Sequence, residues 1–392
     1  AGRAEGWEFF GSQTVMASLA LEKSRETGFS SETRFGLERS PEFGPAFRAE
    51  GALSWGSGRD SRAALAFDAG LAPVPSEASL PPGTDLHTEL SLNQAWASFA
   101  LGALDAKFGL VPISWGAGYA FNPLALTSPP EFPGAGTDRA EGRFGFTASL
   151  SILGFLSLEA YALAEPRLRS PTPSLEEVAA GNVPFGVRTA ARLDGVDFSL
   201  AFGRFRMSTA SDPQWFAGMD ATGFLGPVTW YAETAARLLA KNGSAYRPLE
   251  PSDDIDACAG FSCLVPVAET TLRVEGAWLG GGSDDSALYD RAGMIAGTRA
   301  VLGKAYLLAM AEKELDDRFK ASASVLWNLF DRSAGWLAEA SWSPIPSLEF
   351  IAACALFSGD GASEFGGTLS TGPESRWDPF GPSVAIRAKA SF

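Results

Sequence analysis

The sequence is poor in the residues that build most catalytic and metal sites. Among 392 residues there is one His, His87, and there are three Cys: Cys258, Cys263 and Cys354. A His/Cys metal centre needs three or four such ligands at recognisable spacing, and no spacing of that kind exists here. His87 lies in a Pro-rich stretch near Asp85 without a nucleophile motif, so no Ser/His/Asp triad is legible. Gly280-Gly281-Gly282-Ser283 is followed neither by Lys nor by a helical pattern and does not form a phosphate cradle. The reading is therefore non-enzymatic, with no cofactor and no metal. Long apolar runs are missing too: the best candidate, Ser149 to Ala164, is broken by Ser, Gly and Glu159, so no helix of the chain is expected to cross a membrane. Basic residues are also outnumbered, 31 against 46 acidic, for a net charge of −15. That balance argues against nucleic acid and against docking on anionic lipid. No basic segment leads into an apolar core at the start, and Ala1-Gly2-Arg3-Ala4-Glu5-Gly6 reads as the mature side of a removed signal peptide.

What is abundant is aromatic, small and turn-forming: 28 Phe, 11 Trp, 43 Gly and 25 Pro. Much of the apolar remainder is Ala, which builds a thin face rather than a thick core. These residues alternate with polar ones at a period of two, the period of a strand. In Phe29 to Arg39, Phe29, Ser31, Thr33, Phe35 and Leu37 share one side, and Glu32, Arg34 and Glu38 share the other. Similar segments cover 47–55, 62–71, 104–110, 143–152, 186–194, 196–202, 228–237, 269–278, 319–329, 336–343 and 348–356. Leu90 to Leu101 changes phase near Gln94, which predicts a bulge. Gln214 to Phe224 and Lys304 to Leu315 read on either face and are assigned as strands. Gln13 to Lys23 and Ala257 to Leu264 alternate most weakly.

The connections alternate as well. Short turns such as Leu153-Gly154, Asp194-Gly195 and Leu225-Gly226-Pro227 separate long Pro/Gly-rich stretches at 72–87, 114–142, 165–183, 241–256, 280–293 and 359–381. Several such loops would be anomalous in one soluble domain. In a transmembrane barrel, tight turns at one end and long loops at the other are expected. A sandwich is the competing all-β solution, but it would bury bulky aliphatic faces against a second sheet. Here one face is Ala, Leu, Phe and Trp, while the other carries Arg and Glu on nearly every segment. Lipid outside and water inside satisfy both. The expectation is one all-β domain, residues 1–392: an antiparallel up-and-down transmembrane β-barrel with short periplasmic turns and long extracellular loops. Nineteen segments are counted, and even strand numbers prevail in such barrels, so about 18 strands are expected, within 16 to 20.

The serial amphipathic strands, the alternation of short and long connections, and the last segment, SVAIRAKASF, resemble bacterial outer-membrane porins. That segment places Val384, Ile386, Ala388, Ala390 and Phe392 on one side and Arg387 and Lys389 on the other. It is similar to the terminal strand by which the outer-membrane assembly machinery recognises its substrates, with Phe392 in the aromatic place, although no Gly follows Gly381. Lys107-Phe108-Gly109-Leu110, Trp115-Gly116 and Phe121-Asn122-Pro123-Leu124 resemble a strand-to-loop passage in some large bacterial barrels. The resemblance implies a multi-pass location in the outer membrane of a Gram-negative-type envelope, contact with membrane lipid, and transport of small polar solutes. Whether three barrels associate as a homotrimer stays open.

The six long loops hold nineteen acidic and seven basic residues, twelve of the fifteen excess negative charges. The expected inward faces are nearly balanced. Their pore-lining candidates are Arg34, Arg48, Glu50, Arg62, Asp68, Lys107, Arg143, Arg188, Arg192, Glu233, Arg237, Glu269, Arg273, Glu275, Lys320, Glu339, Arg387 and Lys389. These charges read either as a transverse field that filters solutes by charge and size, or as cross-strand ion pairs that hold a hydrated wall. The longest loop carries Trp115, Tyr119, Phe121 and Phe132, and so much apolar surface predicts that part of it folds inward as a constriction; the competing arrangement is an outer lid. Asp253-Asp254-Ile255-Asp256 and Asp284-Asp285 match no calcium-loop spacing and read as solvated charge. Cys258 and Cys263 could close a short disulfide if 257–263 is a loop, and Cys354 falls on the lipid side. The function expected is a channel for passive diffusion or uptake of small polar solutes. A plugged structural barrel with partner-binding acidic loops is the alternative, and uptake of a hydrophobic ligand is disfavoured by the inward charges.

Overall fold

A computed structural model describes residues 8–20, 27–39, 45–57, 86–127, 142–164, 183–206, 214–238, 240–241, 245–246, 249–295, 299–366, 369–372, 375–377 and 382–392. Eighteen strands form one closed antiparallel sheet. In chain order they are β1 (Glu8–Ala20), β2 (Thr27–Arg39), β3 (Ala46–Ser57), β4 (Leu86–Leu101), β5 (Leu104–Val111) and β6 (Arg143–Leu153). Next come β7 (Leu156–Leu163), β8 (Phe185–Leu193), β9 (Val196–Phe205), β10 (Gln214–Leu225), β11 (Val228–Leu238) and β12 (Ile255–Val265). The last six are β13 (Thr270–Leu279), β14 (Ala305–Asp316), β15 (Phe319–Asn328), β16 (Ala334–Ile345), β17 (Leu348–Ser358) and β18 (Ser383–Ser391). Every strand pairs with its sequence neighbours, and β18 returns to β1 from Ser12 opposite Ser391 to Ala20 opposite Ser383. Closure leaves no strand edge unpaired, which a lipid environment requires.

The alternation sorts the wall. Phe35, Phe108, Phe202, Trp336 and Ile386 point outward and are half-exposed or more, while Glu32, Asp220, Glu233 and Glu275 point inward and are buried. A protein with so much exposed apolar surface on every strand is solvated by lipid. The phase change in β4 is a bulge at Asn93: Glu50 pairs with Gln94, and Gly51 already pairs with Leu92. Seven hairpins, from Leu101–Leu104 to Ile345–Leu348, close at one end with two to four residues. The long connections all leave from the other end.

Several sequence expectations are corrected. β3 pairs directly with β4, so the wall closes at eighteen strands without the alternating segment 62–71. Arg62 and Asp68, like Phe132, lie outside the described residues. Leu86 and His87 begin β4, and Ile255 and Asp256 begin β12, so these four are strand rather than loop. Glu269 is the last residue of the turn before β13, at φ 50, and not a strand residue. Cys258 and Cys263 are free thiols on the single strand β12. Five residues of extended chain hold them about 17 Å apart, on opposite faces, far beyond the reach of an S–S bond.

The interior is filled on one side. Loop residues Trp115, Leu124 and Leu126 pack with Tyr161, Leu163, Ala201, Phe205, Phe216 and Ala235 of β7, β9, β10 and β11. A second cluster joins Phe121 to Tyr289, Met294, Val301, Leu302 and Phe365 from other loops, against Cys258, Ala277, Tyr306, Leu308 and Leu326 of β12 to β15. Residues 115–126, the described part of the connection after β5 that these clusters hold, therefore lie inside the barrel, along the wall from β7 to β15.

Candidate functional site

Two carboxylates hold that inner loop. On β11, Glu233 Oε2 accepts the backbone N–H of Ala117 at 2.6 Å and of Gly118 at 2.9 Å, and Oε1 accepts that of Leu124 at 2.5 Å. On β13, Glu275 accepts Tyr119 N–H at 2.8 Å, Phe121 N–H at 2.7 Å, and Ala120 N–H shared between both oxygens. Tyr231 O–H donates to the same Glu275 carboxylate. Six consecutive or nearly consecutive amides, which no strand ladder could pair, are thus satisfied by two side chains. Neither carboxylate has a basic partner among the described residues, so the amide dipoles, with the Tyr231 hydroxyl at Glu275, compensate their burial.

The local sequence explains the cradle. Trp115-Gly116-Ala117-Gly118 turns sharply because Gly116 takes φ +106, a region closed to most L-residues. A Cβ at Gly116 would meet Asn122 Oδ1 and Glu233 Oε2, and one at Gly118 would meet Phe121 O. Trp115 then stacks at a tilt on Tyr161, with centroids 4.7 Å apart, and Phe121 stacks on Tyr306 at 5.4 Å. Between these two buried anchors, Tyr119 stays 43% exposed. The Arg273 guanidinium lies 3.6 Å from its ring centroid, a cation–π contact at the loop's inner edge.

A second polar knot ties the mouth. Glu364 accepts Leu302 N–H at 2.8 Å, Tyr306 O–H at 2.5 Å and Asn328 Nδ2–H at 2.8 Å. Asp331 accepts Tyr289 O–H at 2.8 Å and Glu364 N–H at 2.7 Å. Burial pushes the Glu364 carboxyl up to about 7, and the neighbouring Asp331 charge acts in the same direction. Burial also raises the Tyr289 phenol, with Asp331 adding to the effect.

No family model matches the chain, and no curated protein sequence matches it. Solved structures do. OccK5 (OpdH) of Pseudomonas aeruginosa is similar over 100% of this chain and 99% of its own, with TM-score 0.57 and 10% identity. OccD3 (OpdP) of the same organism matches over 99% and 91%, with TM-score 0.54 and 11% identity. The chain has the porin fold. The same barrel shape also reaches Wzi of Escherichia coli, an outer membrane protein involved in group 1 capsule assembly and a carbohydrate-binding β-barrel, at TM-score 0.55 and 12% identity over 97% and 84%.

Within this porin fold the sequence-predicted residues separate into groups. Arg34 pairs with Glu32 at 2.5 Å, and Arg48 bridges Glu38 at 3.0 Å and Glu50 at 2.8 Å with its guanidinium over the Phe10 ring. Arg188 meets Asp220 at 3.1 Å and Glu159 at 3.5 Å, and Arg237 meets Asp256 at 2.7 Å. Lys107 lies over Trp96 at 4.6 Å and Arg273 over Tyr119, neither with an ion-pair partner among the described residues. Glu339, Arg387 and Lys389 face inward on β16 and β18 by register. Arg143 is buried and donates to Thr127 O at 3.1 Å, fixing the far end of the inner loop. Arg192 with Asp197, and Lys320 with Glu314, are exposed pairs near the turns. Phe392 exchanges two 2.9 Å backbone hydrogen bonds with Gly11 of β1, and its ring stays exposed on the outside.

Sequence reasoning missed the Glu364 and Asp331 knot and the role of Tyr231. A loop acid is ordinarily solvated, so nothing in the local pattern marks Glu364 as buried.

Proposed function

We propose that this chain is an outer-membrane channel through which small polar solutes diffuse passively, with the loop over residues 113–127 as its constriction. The observation that supports this reading is the anchoring of that loop by Glu233 and Glu275 inside a barrel whose inward walls are otherwise polar and charged. A segment that narrows a hydrated lumen at a fixed place sets the size of what passes. Most basic side chains on the wall are neutralised by adjacent carboxylates, which keeps the wall wet without a strong net field. Lys107 and Arg273 differ: each rests on an aromatic ring, so each presents positive charge to a passing solute. Purified protein in a planar bilayer is expected to give ion-permeable openings, and a silent bilayer would sink the channel reading.

One observation favours a second reading, a plugged structural barrel. The Glu364 and Asp331 knot draws two long loops over β14 to β16 and fills part of the mouth. The same bilayer measurement separates the two, since a plugged barrel passes no current.

A further inference from the structure

A knot of polar side chains lies on the outside of the wall, where lipid is the solvent. Gln13 of β1 pairs across the sheet with Thr33 of β2 and with Ala390 of β18. Its Nε2 donates to Ser31 Oγ at 2.7 Å, and its Oε1 accepts from Thr33 Oγ1. Register puts all three on the lipid side: Phe9, Val15 and Phe35, at even steps from them, are exposed, while the alternate residues Ser12 and Glu32 are buried within. The other strand carboxamides whose side chains are described face inward. Gln94 is opposite Glu50, Gln214 is opposite Phe205, and Asn328 donates to Glu364.

Phe9 and Phe392, both exposed, mark the aromatic girdle at the short-turn end. Gln13 stands four residues beyond Phe9, about 13 Å along the strand, and a tilt of about 40° makes this roughly 10 Å of height within a hydrocarbon band about 25 Å tall. Neither water nor a headgroup is there to satisfy a polar group. A carboxamide carries two N–H donors and an oxygen with two lone pairs. Ser31 and Thr33 use one of each, so one donor and one acceptor of Gln13 have no partner among the described residues. The group that matches both at once is a second carboxamide, since two of them exchange N–H···O bonds about a two-fold axis. The surroundings allow a second wall to come close: Ala17 of β1 and Ala388 and Ala390 of β18 flank Gln13 on the same face and project little.

We propose that two copies of this chain associate side by side in the membrane through β18, β1 and β2, with Gln13 of one copy exchanging amide hydrogen bonds with Gln13 of the other. This rests on the membrane placement of the barrel and not on the channel reading. The test is sedimentation equilibrium of the full chain, folded in density-matched detergent micelles, over a range of protein-to-detergent ratios. The wild-type chain is expected to show a reversible equilibrium between monomer and dimer. Gln13→Leu, which keeps the bulk and suits lipid better, should weaken the dimer about tenfold. Gln13→Ala should weaken it as well. Thr189→Leu removes an exposed outward hydroxyl from β8, on another part of the wall, and should leave association unchanged. A wild-type chain that stays monomeric at every ratio overturns the proposal, and so does a trimer. Equal association of wild type and both Gln13 variants also overturns it, as does an equal weakening by Thr189→Leu. A heat-dependent shift in gel mobility checks that each variant is a folded barrel. Association in micelles does not depend on pore opening, so a silent bilayer would remove the channel reading and leave this contact standing.

Discussion

Phe121 donates its backbone N–H to Glu275 Oε1 at 2.7 Å, across 154 residues of sequence. The bond joins the tip of the inner loop to the middle of a strand on the far wall, and it is one of four that converge on this carboxylate. Carboxylate oxygens only accept, so all four donors can aim at them. In Glu275→Gln one oxygen becomes an NH2 group facing N–H donors, and at least one charge-assisted bond is lost, about 1.5–3 kcal/mol. The loop should loosen: larger and noisier single-channel currents, and proteolytic cleavage between Gly116 and Leu124, are expected. Unchanged current together with unchanged protease resistance would show that Glu275 does not hold the loop.

Gly116 tests the same cradle from the loop side. At φ +106 and in contact with Asn122 and Glu233, it has no room for a methyl group. Gly116→Ala should destabilise the barrel by about 1–3 kcal/mol through backbone strain and lost amide bonds. Gly154 has nothing within 4 Å of an added Cβ, so Gly154→Ala is the matched control and should leave thermal unfolding unchanged. Equal melting of both variants would mean that the cradle adds nothing to stability.

These two sites show how far the sequence could be read. The period of two separates inward from outward residues because pleat geometry allows no other arrangement, and it locates the bulge beside Gln94 through a break in phase. It assigns a side, however, and says nothing of what a side chain meets there. Glu233 and Glu275 alternate as Arg34 and Glu50 do, yet the first two are covered by a loop more than 100 residues away in sequence. Residues 62–71 lie outside the described residues, and β3 pairs directly with β4, so a period of two does not name the neighbour that a strand takes. Glu364 was illegible for the same reason, because its partners Leu302, Tyr306 and Asn328 come from other elements.

Charge selectivity should follow position rather than residue type. Arg273 lies at the edge of the inner loop against the exposed Tyr119 ring, without a neutralising carboxylate among the described residues. Arg192 pairs with Asp197 near the turns, with its side chain 79% exposed. Ions crossing the lumen beside Arg273 feel its charge within a Debye length of about 8 Å at 0.15 M salt. Arg273→Glu should therefore move the reversal potential in a salt gradient toward cations, and Arg192→Glu should move it much less. Equal shifts from the two variants would place the selective section elsewhere.

The mouth should respond to pH through Glu364. Its carboxyl is pushed up to about 7 by burial, against an ordinary value of 4.5, so the folded mouth binds this proton more tightly than the unfolded chain does. A raised folded value means that the contribution to stability is complete below about pH 4.5 and is lost as pH rises through about 7. The full span is on the order of 3 kcal/mol. It is concentrated where Glu364 joins Leu302, Tyr306 and Asn328. Amide hydrogen exchange at Leu302, corrected for intrinsic rates, should show protection that declines between pH 5 and 8. Glu364→Ala should remove that decline while weakening protection at every pH, because the donors lose their acceptor whatever the proton concentration. The same pH slope in the variant would show that Glu364 is not the group that responds.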